Sequence, residues 1–197
     1  MYEYRKLSKK QRAELLYQRR KREHPLHAPP HFAEADGFHL ISAACYEHQA
    51  FLKSSARRDF FEEQLLSFLT EVPEADVRAW VILPNHYHLL VSIRMALLGP
   101  LLNRLHSGTA TQWNREDSTQ GRKVWHRYSD RKIRSERHFY ATVNYIHGNP
   151  VKHGWVQDAS LWDWSSLPIW MGEYGRDCLV KQWKDYPVDG YGEGWDD

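Results

Sequence analysis

Hydrophobic positions change period repeatedly between residues 38 and 148. Phe38–Tyr46 (FHLISAACY) mixes β-branched and aromatic residues and predicts a first core strand. Phe60, Phe61, Leu65, Leu66, Phe68 and Leu69 then recur at helical spacing, which predicts a helix over 55–70 that ends near Pro73. Val77–Leu83 and Tyr87–Ile93 are short runs rich in Val, Ile and Leu on either side of Pro84-Asn85, the pattern of a hairpin. Proline cannot donate to a strand ladder, so Pro84 and Asn85 belong at the turn. Leu98, Leu101, Leu102 and Leu105 give Leu97–Arg115 one apolar helical face. A polar loop, 117–121, leads to Val124–Ile133, a fourth strand with its basic side chains exposed. Ser135 is placed to cap a helix from Glu136 to about Gly148, with Phe139, Val143 and Ile146 as apolar positions.

The resulting order, β-α-β-β-α-β-α, is a split βαβ arrangement. It predicts an α+β ferredoxin-like sandwich, an antiparallel four-stranded sheet with helices on one face. Around this domain, 36–166, lie two extensions. Residues 1–35 read as a basic arm followed by a linker broken by Pro25, Pro29 and Pro30. Residues 167–197 read as an aromatic and acidic C-terminal tail, with no functional reading from Glu173 onward. Trp162-Asp163-Trp164-Ser165-Ser166 is expected to pack against the domain edge.

Composition narrows the class. At 197 residues and 23.4 kDa the chain is one domain with extensions, long enough to bury a core. It has no run of 18 apolar residues and no apolar leader, so no membrane span and a cytoplasmic location are expected. Cys45 and Cys178 lie far apart without metal-knuckle spacing and read as small buried or semi-buried residues of a reducing compartment.

The formal net charge is only +2, yet nine Lys/Arg fall between Arg5 and Arg22 against one acid, Glu14. Seven more fall between Arg122 and Arg137. Two concentrated basic stretches in a near-neutral chain point to a polyanion on one face. The 9 Trp and 11 Tyr are compatible with base stacking on single strands, although most such rings belong in a core.

Candidate chemistry centres on two places. On the second hairpin strand, alternation sends His86, His88 and Leu90 to one face and Tyr87, Leu89 and Val91 to the other. Two imidazoles about 7 Å apart along one strand face can turn onto a single metal ion. By itself a His-x-His tripeptide is short and commonly accidental. Some sixty residues on, Tyr145 and Asn149 stand four apart on one helix and share a face. A phenol able to attack would then neighbour an amide oxygen able to complete a metal site. His147 falls off that face and reads as structural or as a phosphate contact.

The phrase LPNHYHLLV, the run YSDRKIRS and the helix YIHGNPVKHGWV together resemble the single-tyrosine HUH transposases, in particular the REP-associated tyrosine transposases, which act at repetitive extragenic palindromes. The resemblance runs from about Phe38 to Ser166. It implies that His86 and His88 are metal ligands, that Asn149 is the third ligand and that Tyr145 is the nucleophile. It further implies a divalent ion, Mg²⁺ or Mn²⁺, although two imidazoles alone would also suit zinc, nickel or copper. The implied reaction is cleavage and rejoining of single-stranded or hairpin DNA at palindromic repeats through a covalent 5′-phosphotyrosine, by a monomer or homodimer. Arg127, Arg131, Lys132, Arg134 and Lys152 would hold phosphates.

Rival readings remain at this stage. A domesticated protein could grip palindromic hairpins without cutting them. HUH replication initiators share the chemistry but usually carry a further domain such as a helicase, and this chain has no P-loop pattern. A metal-dependent hydrolase of small molecules would need a general base near the metal and no basic stretches.

Overall fold

The computed structural model describes residues 37–191, together with Ser8 and Tyr17. Most of the basic arm, the Pro-rich linker and the last six residues lie outside the described residues. Four strands, β1 (Phe38–Ala44), β2 (Asp76–Ile82), β3 (His86–Ser92) and β4 (Ser129–Lys132), form one antiparallel sheet in the order β2-β3-β1-β4. Helix α1 (Ser55–Thr70) connects β1 to β2, α2 (Met95–Glu116) connects β3 to β4, and α3 (Glu136–Lys152) follows β4. The predicted order is thus observed, with α4 (Leu167–Tyr174) and α5 (Arg176–Asp185) added after it.

Local chemistry sets the boundaries. The Ser54 hydroxyl accepts from the Arg57 N–H (3.3 Å) at the start of α1, and the Ser135 hydroxyl accepts from the His138 N–H (3.1 Å) at the start of α3. At the β2–β3 turn the Leu83 N–H donates to the His86 carbonyl (2.8 Å), and the Asn85 carbonyl accepts from the Cys45 N–H (2.7 Å). That second bond ties the turn to the end of β1. Pro84 and Asn85 therefore occupy the turn that the sequence assigns them.

The sheet is covered on both faces, not on one as expected. Phe61, Leu65, Leu98, Leu102 and Trp113 of α1 and α2 pack on Ile41, Tyr87, Leu89 and Val91. On the other face Val143 and Ile146 of α3, with Trp162 and Trp170, pack on Leu40, Val81 and Leu90. The reason is visible in β3, where every residue except Ser92 is buried, as for a central strand with two apolar faces. The fourth strand is also shorter than the predicted Val124–Ile133. Val124 and Trp125 enter the first core, Trp125 making only an isolated bridge to Cys45, and regular pairing is confined to Ser129–Lys132.

Trp164–Ser166 runs antiparallel along edge strand β2, as expected of the WDWSS stretch. The Ile82 N–H donates to the Trp164 carbonyl (2.9 Å) and the Ser166 N–H to the Trp80 carbonyl (3.0 Å). Residues 167–191, set apart as a tail in the sequence, pack back on α3, where the Asn144 amide donates to the Tyr186 carbonyl (2.8 Å). Cys45 is buried and Cys178 exposed, both as free thiols.

Candidate active site

The pairing register brings the chemistry together. Ser42 of β1 stands opposite His88, and Ala44 opposite His86, so the two imidazoles rise from the face that α3 covers. Both histidines are buried, as is Tyr87, which points to the opposite face. There the Tyr87 hydroxyl pairs with His106 Nε2 (3.0 Å), and burial raises its pKa, so it has no access to the site.

Each imidazole is held from behind. His86 Nδ1 lies 2.8 Å from Asn85 Oδ1, and His88 Nδ1 lies 2.7 Å from Ser42 Oγ. With Nδ1–H donating to those oxygens, both Nε2 lone pairs turn inward. This is the orientation that outer hydrogen bonds impose on metal-binding histidines. The rings meet edge to face at 5.1 Å between centroids.

Helix α3 supplies the other groups. Asn149 is fully buried, with Oδ1 3.1 Å from His86 Nε2, while its Nδ2 has no hydrogen-bond partner among the described residues. Two lone-pair atoms facing each other at this distance repel unless a proton or a cation lies near both. Adjacent ligands of an octahedral ion bound at about 2.1 Å stand about 3.0 Å apart, so the donor set fits a divalent cation. Among the described residues no group of three or more His, Cys, Asp or Glu side chains is placed to hold a metal ion by itself. An ion here would therefore rest on two imidazoles and one amide, with its remaining positions left to water and substrate.

One turn before Asn149, the Tyr145 hydroxyl lies 3.3 Å from His88 Nε2, and the two rings are 5.1 Å apart. Tyr145 is only 2% exposed. The ring of Tyr191 packs against it at 5.4 Å, and the Tyr191 hydroxyl bonds to Thr142 Oγ1. Lys152 Nζ sits 5.0 Å from the centre of the Tyr145 ring. Beside Tyr145 is a cavity of about 390 Å³, walled by Asn144, Gly148 and Lys152 on one side and the 188–191 segment on the other. Tyr140, the other tyrosine of α3, turns away and stacks on Tyr186.

The structure thus brings His86, His88, Tyr145 and Asn149 together and separates the basic residues. Arg131 lies opposite Leu40, on the face of the site, and is near enough to Tyr145 and Tyr191 to interact electrostatically with both. Lys132 pairs with His39 and takes the opposite face. Arg127 and Arg134 lie outside β4 and are exposed. Arg134 and Arg131 both lie close to His138, whose pKa falls through burial first and through these two cations second. Lys152 closes the far end of α3.

His147 is buried behind the site with Nε2 2.8 Å from Ser166 Oγ, and burial lowers its pKa to about 3. It is a neutral structural contact between α3 and the strip along β2. His153 is a site neighbour that the sequence reading missed. Its ring packs edge-on to His86 at 4.9 Å. The available signal was spacing, since Tyr145, Asn149 and His153 follow one another every four residues along one helical stripe.

No family model matches the chain. Over 98 residues the chain is 28% identical to a REP-associated tyrosine transposase of Escherichia coli, a match covering 47% of this chain and 54% of that protein. Over 101 residues it is 32% identical to a protein of Haemophilus influenzae named after the same family, covering 44% of this chain and 55% of that protein. The chain thus spans about half the length of these curated relatives. A solved structure of a REP-associated tyrosine transposase bound to a REP hairpin shares the fold. The TM-score is 0.58 at 20% identity, over 73% of this chain and 85% of that one. In sequence over about half its length, and in fold over 73% of it, this chain resembles the REP-associated tyrosine transposases.

Proposed function

We propose that this protein is a metal-dependent endonuclease and strand transferase for single-stranded DNA at palindromic hairpins, working through a covalent 5′-phosphotyrosine. The observation that carries the reading is the inward-facing pair of Nε2 atoms on His86 and His88, with Asn149 Oδ1 against one and the Tyr145 hydroxyl against the other. A relative with this fold binds a REP hairpin, which supports hairpin DNA as the substrate class. The exposed guanidinium of Arg131, which interacts electrostatically with Tyr145 from β4, and the ammonium of Lys152, 5.0 Å from the Tyr145 ring, suit a phosphate backbone running past it.

His86, His88 and Asn149 would hold a divalent ion, Mg²⁺ or Mn²⁺. When bound, the ion would polarise the scissile phosphate and stabilise charge on its oxygens. Tyr145 supplies the nucleophile. A free phenol ionises near pH 10, so its proton must be taken as it attacks. The new bond joins Tyr145 Oη to phosphorus, the bond from phosphorus to the 3′-oxygen breaks, and that oxygen leaves as a hydroxyl carrying one proton. The phosphodiester energy stays in the adduct, so a second 3′-hydroxyl can reverse the step and join strands without ATP. Ser42 and Asn85 orient the imidazoles. The apolar packing of α3 on β2 and β3 keeps the Tyr145–Asn149 stripe over them.

The test is incubation with an end-labelled hairpin carrying single-stranded flanks, with Mn²⁺ and then with Mg²⁺, followed by a denaturing gel. A labelled band that migrates with protein and disappears after proteolysis supports the proposal. Tight hairpin binding with no such band in either metal supports a protein that only grips the hairpin.

A further inference from the structure

Beyond the end of α3 the chain makes a sharp turn. Gly154 has φ +71°, a conformation that suits glycine, and the Trp155 N–H donates back to the Pro150 carbonyl (2.9 Å). This fixes Trp155 two residues after His153, whose ring touches His86. Trp155 is 46% exposed. Its inner neighbour, Trp162, lies 6.4 Å away and is buried, with Nε1–H donating to the Ile82 carbonyl (3.0 Å) just before the turn that carries His86. Trp162 in turn meets Trp164 edge to face at 5.3 Å, and the Arg58 guanidinium lies over both rings, 5.1 Å from one and 3.7 Å from the other. The three tryptophans form a ladder anchored in the fold, and its outer rung stands in solvent beside the metal-ligand end of the sheet.

A scattered exposed apolar residue needs no explanation. Trp155 differs in position and in support. It follows Lys152 and His153 by three and two residues where α3 ends, and its neighbouring ring is itself hydrogen-bonded to β2. An exposed aromatic face backed by a buried, hydrogen-bonded ring and three residues from a lysine at the end of α3 has the form of a single-strand stacking platform.

We propose that Trp155 stacks an unpaired base of the single-stranded flank next to the scissile phosphate, and so sets where along the flank the strand is seated. This rests on the reading of the site as a hairpin-DNA nuclease. Its recognition is by the π-face, so it tolerates any base and fails for a nucleotide with none.

The test measures affinity by fluorescence anisotropy for a blunt hairpin, for the same hairpin with single-stranded flanks, and for flanked hairpins with one abasic nucleotide at each flank position. The proteins are wild type, Trp155→Ala and Trp155→Phe, with folding of each checked by thermal melting. Trp155→Ala should weaken binding of the flanked hairpin by about 5- to 150-fold, the range for loss of one stacked base, and leave the blunt hairpin unchanged. Trp155→Phe should keep most of the affinity. An abasic site at one flank position should remove the difference between wild type and Trp155→Ala.

Equal loss on blunt and flanked hairpins, or no loss on either, overturns the proposal. So does a change of oligomeric state in Trp155→Ala with unchanged DNA affinity, which would make the ring a contact between copies. Wild-type protein that binds no hairpin at all refutes the nuclease reading itself, and this inference with it.

Discussion

The Tyr145 hydroxyl stands 3.3 Å from His88 Nε2, across the gap between the last helix and the central strand. The Tyr145 phenol on α3 and an imidazole on β3 meet only because α3 packs flat on the sheet through Val143 and Ile146. Replacing Tyr145 with phenylalanine keeps the ring against His88 and Tyr191 and removes one oxygen. The expected outcome is complete loss of the protein–DNA adduct, hairpin affinity within a few-fold of wild type, and a stability change of at most about 1 kcal/mol, the worth of one hydrogen bond. Mass spectrometry of the digested wild-type adduct should place the nucleotide on the peptide containing Tyr145. Modification of any other tyrosine removes the assignment.

The metal proposal has a readout that does not depend on cleavage. His86→Ala and His88→Ala each remove one of the two inward Nε2 atoms, and Asn149→Ala removes the amide oxygen. Calorimetric titration with Mn²⁺ should show one site in wild type, none in either histidine variant, and a weakened one in Asn149→Ala. Cleavage should vanish in the histidine variants while hairpin binding persists. Undiminished Mn²⁺ binding by the double histidine variant would show that the cation sits elsewhere.

Much of this site was legible in the sequence because its two halves are local. Pro84-Asn85 fixes a turn, and period two after it decides that His86 and His88 share a face while Tyr87 does not. A four-residue step on a helix decides the same for Tyr145 and Asn149. What could not be read depends on distant partners. The four-residue strand β4, Ser-Asp-Arg-Lys, has no apolar alternation of its own and is defined by pairing with β1. The second covered face follows from burial of β3 on both sides, which a continuous apolar run suggests but does not prove. The contact of Tyr191 with Tyr145 spans 46 residues with no local signal.

The same alternation divides the basic strand. Arg131 and Lys132 are adjacent in sequence but face opposite sides of β4, and only Arg131 shares the face of Tyr145. Arg131→Gln should weaken hairpin binding and lower the slope of log affinity against log salt by about 0.7, one single-strand phosphate contact. Lys132→Gln should leave that slope within error of wild type. Equal losses for the two would mean that DNA wraps the strand edge and does not cross the α3 face alone.

Acid should destabilise the fold through its other core. His106 on α2 is half-buried, with its ring stacked on Trp125 at 4.6 Å, and accepts the Tyr87 hydroxyl at Nε2. Burial lowers its pKa to about 3, against about 6.5 for an exposed imidazole. The unfolded chain therefore binds a proton below pH 6.5 that the folded chain refuses. Stability attributable to this group is whole above about pH 6.5, falls as pH drops below it, and levels off only near pH 3. The slope approaches about 1.4 kcal/mol per pH unit for one such group. His106→Gln keeps an acceptor for Tyr87 and cannot titrate. Urea unfolding between pH 7 and pH 4.5 should show a shallower loss of stability for His106→Gln than for wild type, even where the variant is less stable at pH 7. Parallel pH profiles for the two proteins would mean that His106 gains its proton without unfolding the chain.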